Sequence, residues 1–427
     1  MCRCPGSERK LDQMLADRSK MTAAYVGWSL GALGFYYAWF QRVIPSVMVD
    51  RLMADFAVGG AVLGTLSSLY FYAYAAMQLP VGAMVDRWGP GLPYAGALIL
   101  AALGSSLFAV AESIEMAYAG RILIGVGSAF GWVAALKIIA ERFPPDRFAM
   151  MSGAGMFIGL CGGFSGQVIA GSLVDALGWH PTMWGTAIAG LLLSVAVYVF
   201  IGRRPAESAL DATTMREILS GFAVALRNHK VWLVAGGGAI AAAPIFIFGS
   251  LWGVPYLMQV HGRERTVAAS LTATILVGWG FGGFLSGWLS DRIGARRKPI
   301  VFGLVVALIS LTTVIYGPKL PVLALGGLFL VAGLGSGVVV LSYAMAGDLS
   351  IAATRGSAYA FANMLMILSG AIFQPVAGWL LDLNWYGFTS NGARIYDAAA
   401  YETTFLMVPV TYVTGLVMIL LSRYDEP

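Results

Sequence analysis

Gly82-Ala-Met-Val-Asp86-Arg87-Trp-Gly89 returns 205 positions later as Gly287-Trp-Leu-Ser-Asp291-Arg292-Ile-Gly294. A second pair is offset by 207: Gln167-Val-Ile-Ala-Gly171-Ser-Leu-Val-Asp175 and Gln374-Pro-Val-Ala-Gly378-Trp-Leu-Leu-Asp382. Gly125-x-Gly127 with Glu141 answers in the same way to Gly333-x-Gly335 with Asp348. Three matches at nearly one offset indicate a parallel duplication, so whatever fold the first half takes, the second repeats.

The sequence around these repeats is apolar. Over 427 residues, 58% are hydrophobic and 11% charged, where a soluble domain carries about 25% charged residues. Stretches free of Asp, Glu, Lys and Arg cover 21–41, 56–85, 88–111, 148–174, 176–202, 231–260, 266–290, 299–318, 320–347, 356–381 and 403–422. Each is long enough to cross a hydrocarbon core, which takes about 20 helical residues. A twelfth apolar stretch, 116–140, holds Arg121 and Lys137. Runs of this length satisfy their own backbone in lipid as helices, whereas a barrel would show short alternating segments. The expected fold is an all-α integral membrane protein: twelve transmembrane helices in two pseudo-symmetric six-helix bundles, residues 1–202 and 231–427, joined by a cytoplasmic linker, 203–230. Within the linker, 215–227 reads either as an amphipathic helix on the inner membrane surface or as a plain connection.

Placing both termini in the cytoplasm puts 19 of the 27 Lys and Arg residues on that side, 5 outside and 3 within spans. The positive-inside rule demands that asymmetry. The net charge of +5 is then a topological signal of a multi-pass protein in a bacterial-type inner membrane. Its basic residues are scattered over separate loops, which argues against nucleic acid as a partner. The polar segment before Met21 has no apolar stretch, so the first span is read as the insertion signal. Cys2, Cys4 and Cys161 make no disulfide framework. His180, His229 and His261 fall near span ends and form no metal cluster. Neither a metal nor another cofactor is expected, and the lack of a catalytic constellation argues against an enzyme.

The doubled Gly-x-x-x-Asp-Arg-x-Gly turn resembles the cytoplasmic turn of the major facilitator superfamily, and the resemblance covers the whole chain. The second copy is the more complete, running on into Ala295-Arg296-Arg297-Lys298, while the first has Pro90 and Gly91 where basic residues are usual. The resemblance implies a monomeric secondary transporter that alternates access by rocking its halves about a midplane site. It implies that Gly82, Asp86, Arg87, Gly287, Asp291 and Arg292 gate, the two carboxylates latching the outward-open state. Physically, an Asp at a helix end accepts from a neighbouring helix N-terminus and pairs with Arg, while glycines permit close packing and a tight reversal. The bland alternative is a solvated turn.

Three cations fall inside spans, where an ionisable group is costly unless partnered or functional. Arg42 lies in Phe35-Tyr-Tyr-Ala-Trp39-Phe-Gln-Arg42-Val-Ile-Pro45, and Phe35, Ala38 and Trp39 share its helical face. This segment is similar to the first helix of the organophosphate:phosphate antiporters, whose Arg binds the anionic group. Lys137 and Tyr74 likewise fall where that branch carries a basic residue and a cavity tyrosine. The branch's Arg on the seventh helix is missing, since Phe246-Ile-Phe248-Gly-Ser-Leu-Trp252 stands there. Its fifth-helix His is missing too. The expected substrate is therefore a small organic anion or zwitterion: a carboxylate, an amino acid or peptide, or a phosphorylated metabolite. Arg42, Lys137, Tyr36, Trp39, Tyr74, Trp252, Tyr343, Asn363 and Gln374 are the candidate binding residues, with Tyr70, Trp132 and Trp279 as further candidate cavity aromatics.

Alternatives stand beside these readings. Arg42 could snorkel to the outer headgroups, and Lys137 could snorkel inward or pair with Glu141 at i+4. Arg121 matches a superfamily fourth-helix pattern tied to structure and proton coupling, with Glu141 as a companion; its alternative is an outer-surface anchor. Protons are a candidate coupling ion, yet no Asp or Glu sits mid-span, so symport would use an end-of-span carboxylate or a proton carried by the substrate. Exchange is equally open. Gly153, Gly162, Gly166 and Gly171 follow the glycine spacing of drug:proton antiporters, but Gln167 replaces that motif's Pro. Drug or siderophore efflux, and a non-transporting receptor on the same fold, remain as rivals.

Overall fold

A computed structural model of the chain describes residues 5–144, 147–202, 223–224, 226–351 and 354–424. Its first half runs through α1 (Pro5–Val43), a short α2 (Val49–Phe56), α3 (Gly60–Trp88), α4 (Gly91–Ala109), α5 (Ile114–Arg142), α6 (Phe148–Leu177) and α7 (Trp179–Gly202). The second half follows as α8 (His229–Gln259), α9 (Arg265–Ile293), α10 (Arg297–Tyr316), α11 (Val322–Asp348), α12 (Arg355–Leu383) and α13 (Ala398–Leu421). A two-residue hairpin, Thr389–Ser390 with Ala393–Arg394, lies between α12 and α13. With α2 set aside, the described residues make twelve helical traverses, six in each half, as the charge-free stretches predict. Ten are long and apolar enough to cross a bilayer alone; α3 passes the same test together with α2, from which it bends by 115°. The linker reading at 215–227 and Cys2 and Cys4 lie outside the described residues, apart from 223–224 and 226–227.

An even number of traverses brings both ends of the chain to one face, which we call inner. At the inner end of α3, Gly89 has φ 74°, and at that of α9, Gly294 has φ 62°. The terminal glycine of each repeated turn thus takes the left-handed region that glycine enters freely, and the chain reverses into the next helix. The opening glycines behave otherwise. A Cβ built on Gly82 or Gly287 meets nothing within 4 Å, so the close packing expected of them is not made in this conformation.

Close approach occurs elsewhere. On α6, a Cβ at Gly162 would run into the Tyr36 carbonyl of α1, and one at Gly166 would lie 2.9 Å from the Phe40 carbonyl. Lipid tails supply no hydrophobic drive between helices, so small residues that let backbones touch provide much of the packing. Across the two halves, Gly60 and Gly64 on α3 do the same against Gly378 and Pro375 of α12; a Cβ at Gly64 would be 2.5 Å from Pro375 Cα. The glycines of the fifth span therefore serve helix contact, with Gly162 and Gly166 carrying it, while Gly153 faces open space. Gly162→Val is expected to lower the unfolding midpoint of the detergent-solubilised protein by several degrees, because the facing atom is backbone and overpacking costs about 1–3 kcal/mol; an unchanged midpoint would refute the contact.

Candidate functional site

Arg42 is 4% exposed and its guanidinium lies among aromatic faces: 4.3 Å from the Trp39 ring centroid, 5.2 Å from Tyr74, 5.6 Å from Tyr70 and 5.7 Å from Phe71. Trp39 precedes it by three residues on α1, and Tyr70, Phe71 and Tyr74 share one stretch of α3. Tyr70 is ten residues, about 15 Å, below the outer start of α3. Arg42 thus points to mid-depth and does not snorkel to the outer headgroups. Among the described residues no carboxylate stands within ion-pair distance of it, and its Nε has no hydrogen-bond partner.

The aromatic cluster crosses between the halves. Phe71 packs edge-on against Phe246 of α8 at 5.5 Å, Phe246 lies 6.4 Å from Trp279 of α9, and Trp279 lies 5.8 Å from Trp39. Helix α8 reaches this wall through a widened π segment, Ile245–Trp252, that begins straight after Pro244, whose ring removes a donor and clashes with the turn before it. The repeat-related glutamines both grip that segment: Gln167 Nε2 donates to the Gly249 carbonyl and Gln374 Nε2 to the Phe246 carbonyl.

A second buried guanidinium lies on the other side of Tyr70's neighbourhood, towards the Gln41 and Ser67 carbonyls. Arg121, 1% exposed, donates to the Gln41 carbonyl at 2.8 Å and stands 5.0 Å from the Tyr70 ring, so Tyr70 is flanked by two cations. That position is inside the first bundle, away from the outer-surface anchor considered for it.

The predicted residues divide. Arg42, Trp39 and Tyr74 meet in one cluster; Tyr343 and Asn363 hydrogen-bond each other, and Asn363 reaches Gln78 of α3. Lys137 is not brought there. It binds Asp86 at 2.8 Å and stands 3.9 Å from Glu141, and Asp86 is twelve residues, about 18 Å, inward of Tyr74 along α3. Tyr36 turns to Ser165 on α6, and Trp252 donates to the Gln374 carbonyl. Of the turn residues, Asp86 ties α3 to α5 through Lys137, Arg87 lies over Trp88 and Arg292 over Trp288, while Asp291 is exposed. The expected pairing of the turn carboxylate with Arg is thus replaced in the first half by Lys137.

The outer face is closed by polar links between the halves that the sequence reading missed. Arg265, at the start of α9, bonds Asp50 through both terminal nitrogens at 2.8 and 2.7 Å, Asp175 at 2.6 Å and the Val47 carbonyl at 2.7 Å. Asp382 accepts from the backbone N–H groups of Gly60 and Ala61, each at 2.9 Å, at the N-terminus of α3. There the helix dipole and unsatisfied donors favour an anion. Tyr396 and Arg394 also donate to Asp382; burial and the neighbouring carboxylate push the Tyr396 hydroxyl pKa up and keep it a donor. The available signal was that Asp175 and Asp382 are repeat-related and stand at outer span ends.

Comparison with known proteins accords with this architecture. The profile described as Major Facilitator Superfamily matches residues 29–262 and 234–427. The chain is 23% identical over 398 residues to a gentisate transporter of Corynebacterium glutamicum, covering 91% of this chain and 87% of that one. It is 26% identical over 410 residues to the 4-hydroxybenzoate transporter PcaK of Pseudomonas aeruginosa, covering 84% and 87%. Alignments with curated relatives span from 26% to 87% of the relatives' lengths. Among solved structures, a bacterial homolog of the human lysosomal transporter Spinster, in an inward-facing and unoccupied conformation, superposes with a TM-score of 0.77 at 17% identity, covering 94% and 95%.

Burial would raise the Asp50 carboxyl, but hydrogen bonds and charge from Arg265 outweigh it and hold the pKa below the usual carboxylate value. A depressed folded-state pKa gives a contribution that is present above about pH 3.9, the unfolded value, and is lost only as pH falls through the lower folded one. In a Ser46→Cys protein, whose labelled position is buried beside this cluster, reaction with an impermeant maleimide from the outer face, divided by the rate of the same thiol in the unfolded protein at each pH to remove the thiolate's own pH dependence, is expected to be slow and flat from pH 5 to 8. Adding Arg265→Gln should speed it several-fold; equal rates would show that Arg265 does not hold the face shut.

Proposed function

The chain belongs to the major facilitator superfamily, and from that premise we propose that it is a secondary transporter moving a small organic anion across the membrane by alternating access. It sits in a bacterial inner membrane with both termini in the cytoplasm, an orientation supported by the distribution of its basic residues.

One observation carries the anion: Arg42 is buried, ringed by four aromatic side chains and, among the described residues, without a carboxylate partner. Cation–π contacts are worth about 0.5–2 kcal/mol each, less than the water they replace, so the guanidinium keeps unspent capacity for an incoming acceptor pair. Its fork suits a carboxylate bidentately. Arg121 is engaged by the Gln41 carbonyl, and no described basic residue of the second half faces Arg42, so a doubly charged phosphate would meet one free guanidinium and a monocarboxylate matches the site better. The gentisate and 4-hydroxybenzoate transporters among its relatives support this choice. The proposed binding set is Arg42, Trp39 and Tyr74 in direct reach, with Tyr343 and Asn363 completing the far wall. Tyr36, Trp252 and Gln374 shape the pocket by holding the helices that line it.

For gating, the outer seal alternates with an inner one built on the repeated turns. The open space around Gly82 and Gly287 is then the gap that closes when the outer face opens. Lys137, bound to Asp86, belongs to that machinery.

Uptake of radiolabelled organic anions into proteoliposomes tests the reading. Arg42→Lys keeps the charge and loses the fork, and should lower kcat/KM for the transported anion about 10- to 100-fold, the worth of one charge-assisted hydrogen bond. Anion transport equal to wild type in a folded Arg42→Lys protein would remove Arg42 from the site.

A further inference from the structure

The two halves touch along a pair of interfaces, and both part at mid-depth. Between α3 and α12 the contacts step inward in register: Gly60 with Gly378, Gly64 with Pro375, Phe71 with Gly370, and Gln78 with Asn363. At Gly64 the facing atoms are backbone. By Gln78 the gap is spanned by two side-chain amides, Asn363 Nδ2 donating to Gln78 Oε1 at 3.3 Å. One turn further in, a Cβ on Gly82 meets nothing within 4 Å. Between α6 and α9 the series is Asp175 with Arg265, Gly171 with Ala269, Gly163 with Leu276 and Leu160 with Gly280, after which Gly153 and Gly287 are open. The helices thus diverge inward from a closed outer face. Gln78 and Leu160, where contact ends, stand ten and twelve residues, about 15 and 18 Å, from the inner ends of α3 and α6.

The amide pair is unlike the α3–α12 contacts outward of it, which are apolar or backbone to backbone. Both of its residues are half-buried, so each can exchange its partner for water by a turn of its side chain, and a neutral hydrogen bond is worth little net of that exchange. From the second half, the Tyr343 hydroxyl donates to Asn363 Oδ1 at 3.2 Å. From the first, Gln78 follows Tyr74 by one turn, and Tyr74 interacts with both Gln78 and Arg42. The pair therefore lies directly inward of Arg42, between the guanidinium and the gap at Gly82. We propose that the Gln78–Asn363 bond is an inner latch: with the halves already splayed beneath it, it keeps Arg42 shut off from the inner face, and its rupture, rather than further rocking of the halves, opens the site inwards. The inference rests on Arg42 being the anion site. A neutral latch suits that place, because making and breaking it moves no charge through the hydrocarbon. The outer face is held instead by the ion pairs of Arg265 with Asp50 and Asp175. The weaker seal faces inward, and an anion bound in this conformation leaves by that side.

Ile367, buried on α12 one turn outward of Asn363, reports on the latch. In the full chain carrying Ile367→Cys, with Cys2, Cys4 and Cys161 changed to Ser, an impermeant maleimide is applied without substrate to inside-out and right-side-out vesicles. Labelling from the inner face is expected to be slow and to rise about 3- to 10-fold on adding Asn363→Leu or Gln78→Leu, the worth of one hydrogen bond. It should fall back in the exchanged pair, Gln78→Asn with Asn363→Gln, which keeps both amides. Labelling from the outer face should stay slow throughout. Unchanged inner labelling in Asn363→Leu and Gln78→Leu proteins of normal unfolding temperature overturns the latch. So does an equal rise from both faces, which marks general loosening, or an exchanged pair that labels as fast as Asn363→Leu. None of these results touches the anion site, which stands or falls on transport by Arg42→Lys.

Discussion

A guanidinium held at mid-depth without a carboxylate beside it is the constraint the rest of the structure answers to. Charge in that position is costly in every account of membrane insertion, and here it is tempered by aromatic faces rather than cancelled. Because Tyr70 also meets Arg121, two cations share one ring and no described acid neutralises either. Such a region attracts anions and excludes cations before any specific contact is made. It also demands a rigid frame, since a loose cation would turn towards water. The frame is visible: Tyr70 donates to the Ala38 carbonyl, Arg121 fixes the Gln41 carbonyl, and Gly162 and Gly166 press α6 against the helix that carries Arg42.

The fold was legible because its constraint is long-range and simple. Charge must stay out of the hydrocarbon, so charge-free runs mark the helices within a few residues. What happens inside a helix is set by particular contacts and leaves a weaker trace. Pro244 signals a disturbance in α8, but the π segment that follows depends on packing against Gln167 and Gln374. The role of the turn glycines was half legible. Positive φ at Gly89 and Gly294 follows from the reversal itself, whereas contact at Gly82 and Gly287 depends on which conformation the molecule holds.

The site was legible where one helix could supply the argument. Trp39 and Arg42 share a face by spacing alone, so their meeting follows from the sequence. Lys137 was placed by likeness to another branch of the superfamily, yet its side chain goes to the acid within reach, Asp86, because an unpaired ammonium beside a carboxylate gains more from pairing than from pointing into an apolar pocket. Arg265 was counted as an ordinary outer cation, since nothing in its neighbourhood reveals that Asp50 and Asp175 converge on it from the other half. Contacts between halves are the information that hydropathy does not carry.

Duplication made the gate and left the site unequal. Asp175 and Asp382 hold equivalent places, and each secures the start of the span opposite it in the other half, but by different chemistry: Asp175 through the side chain of Arg265, Asp382 through bare backbone donors at the N-terminus of α3. Either arrangement neutralises a carboxylate at an outer span end, so the repeat tolerates the divergence. Recognition cannot be shared so evenly. A second cation facing Arg42 would raise the charge of the empty pocket and favour a dianion. With amides and a phenol in place of that cation, the second half contributes hydrogen bonds that depend on orientation. On the proposed reading, charge would hold the anion to the first half in every conformation, while the uncharged contacts of the second half would form and break as the halves rock, which would let a tightly recognised anion still be released.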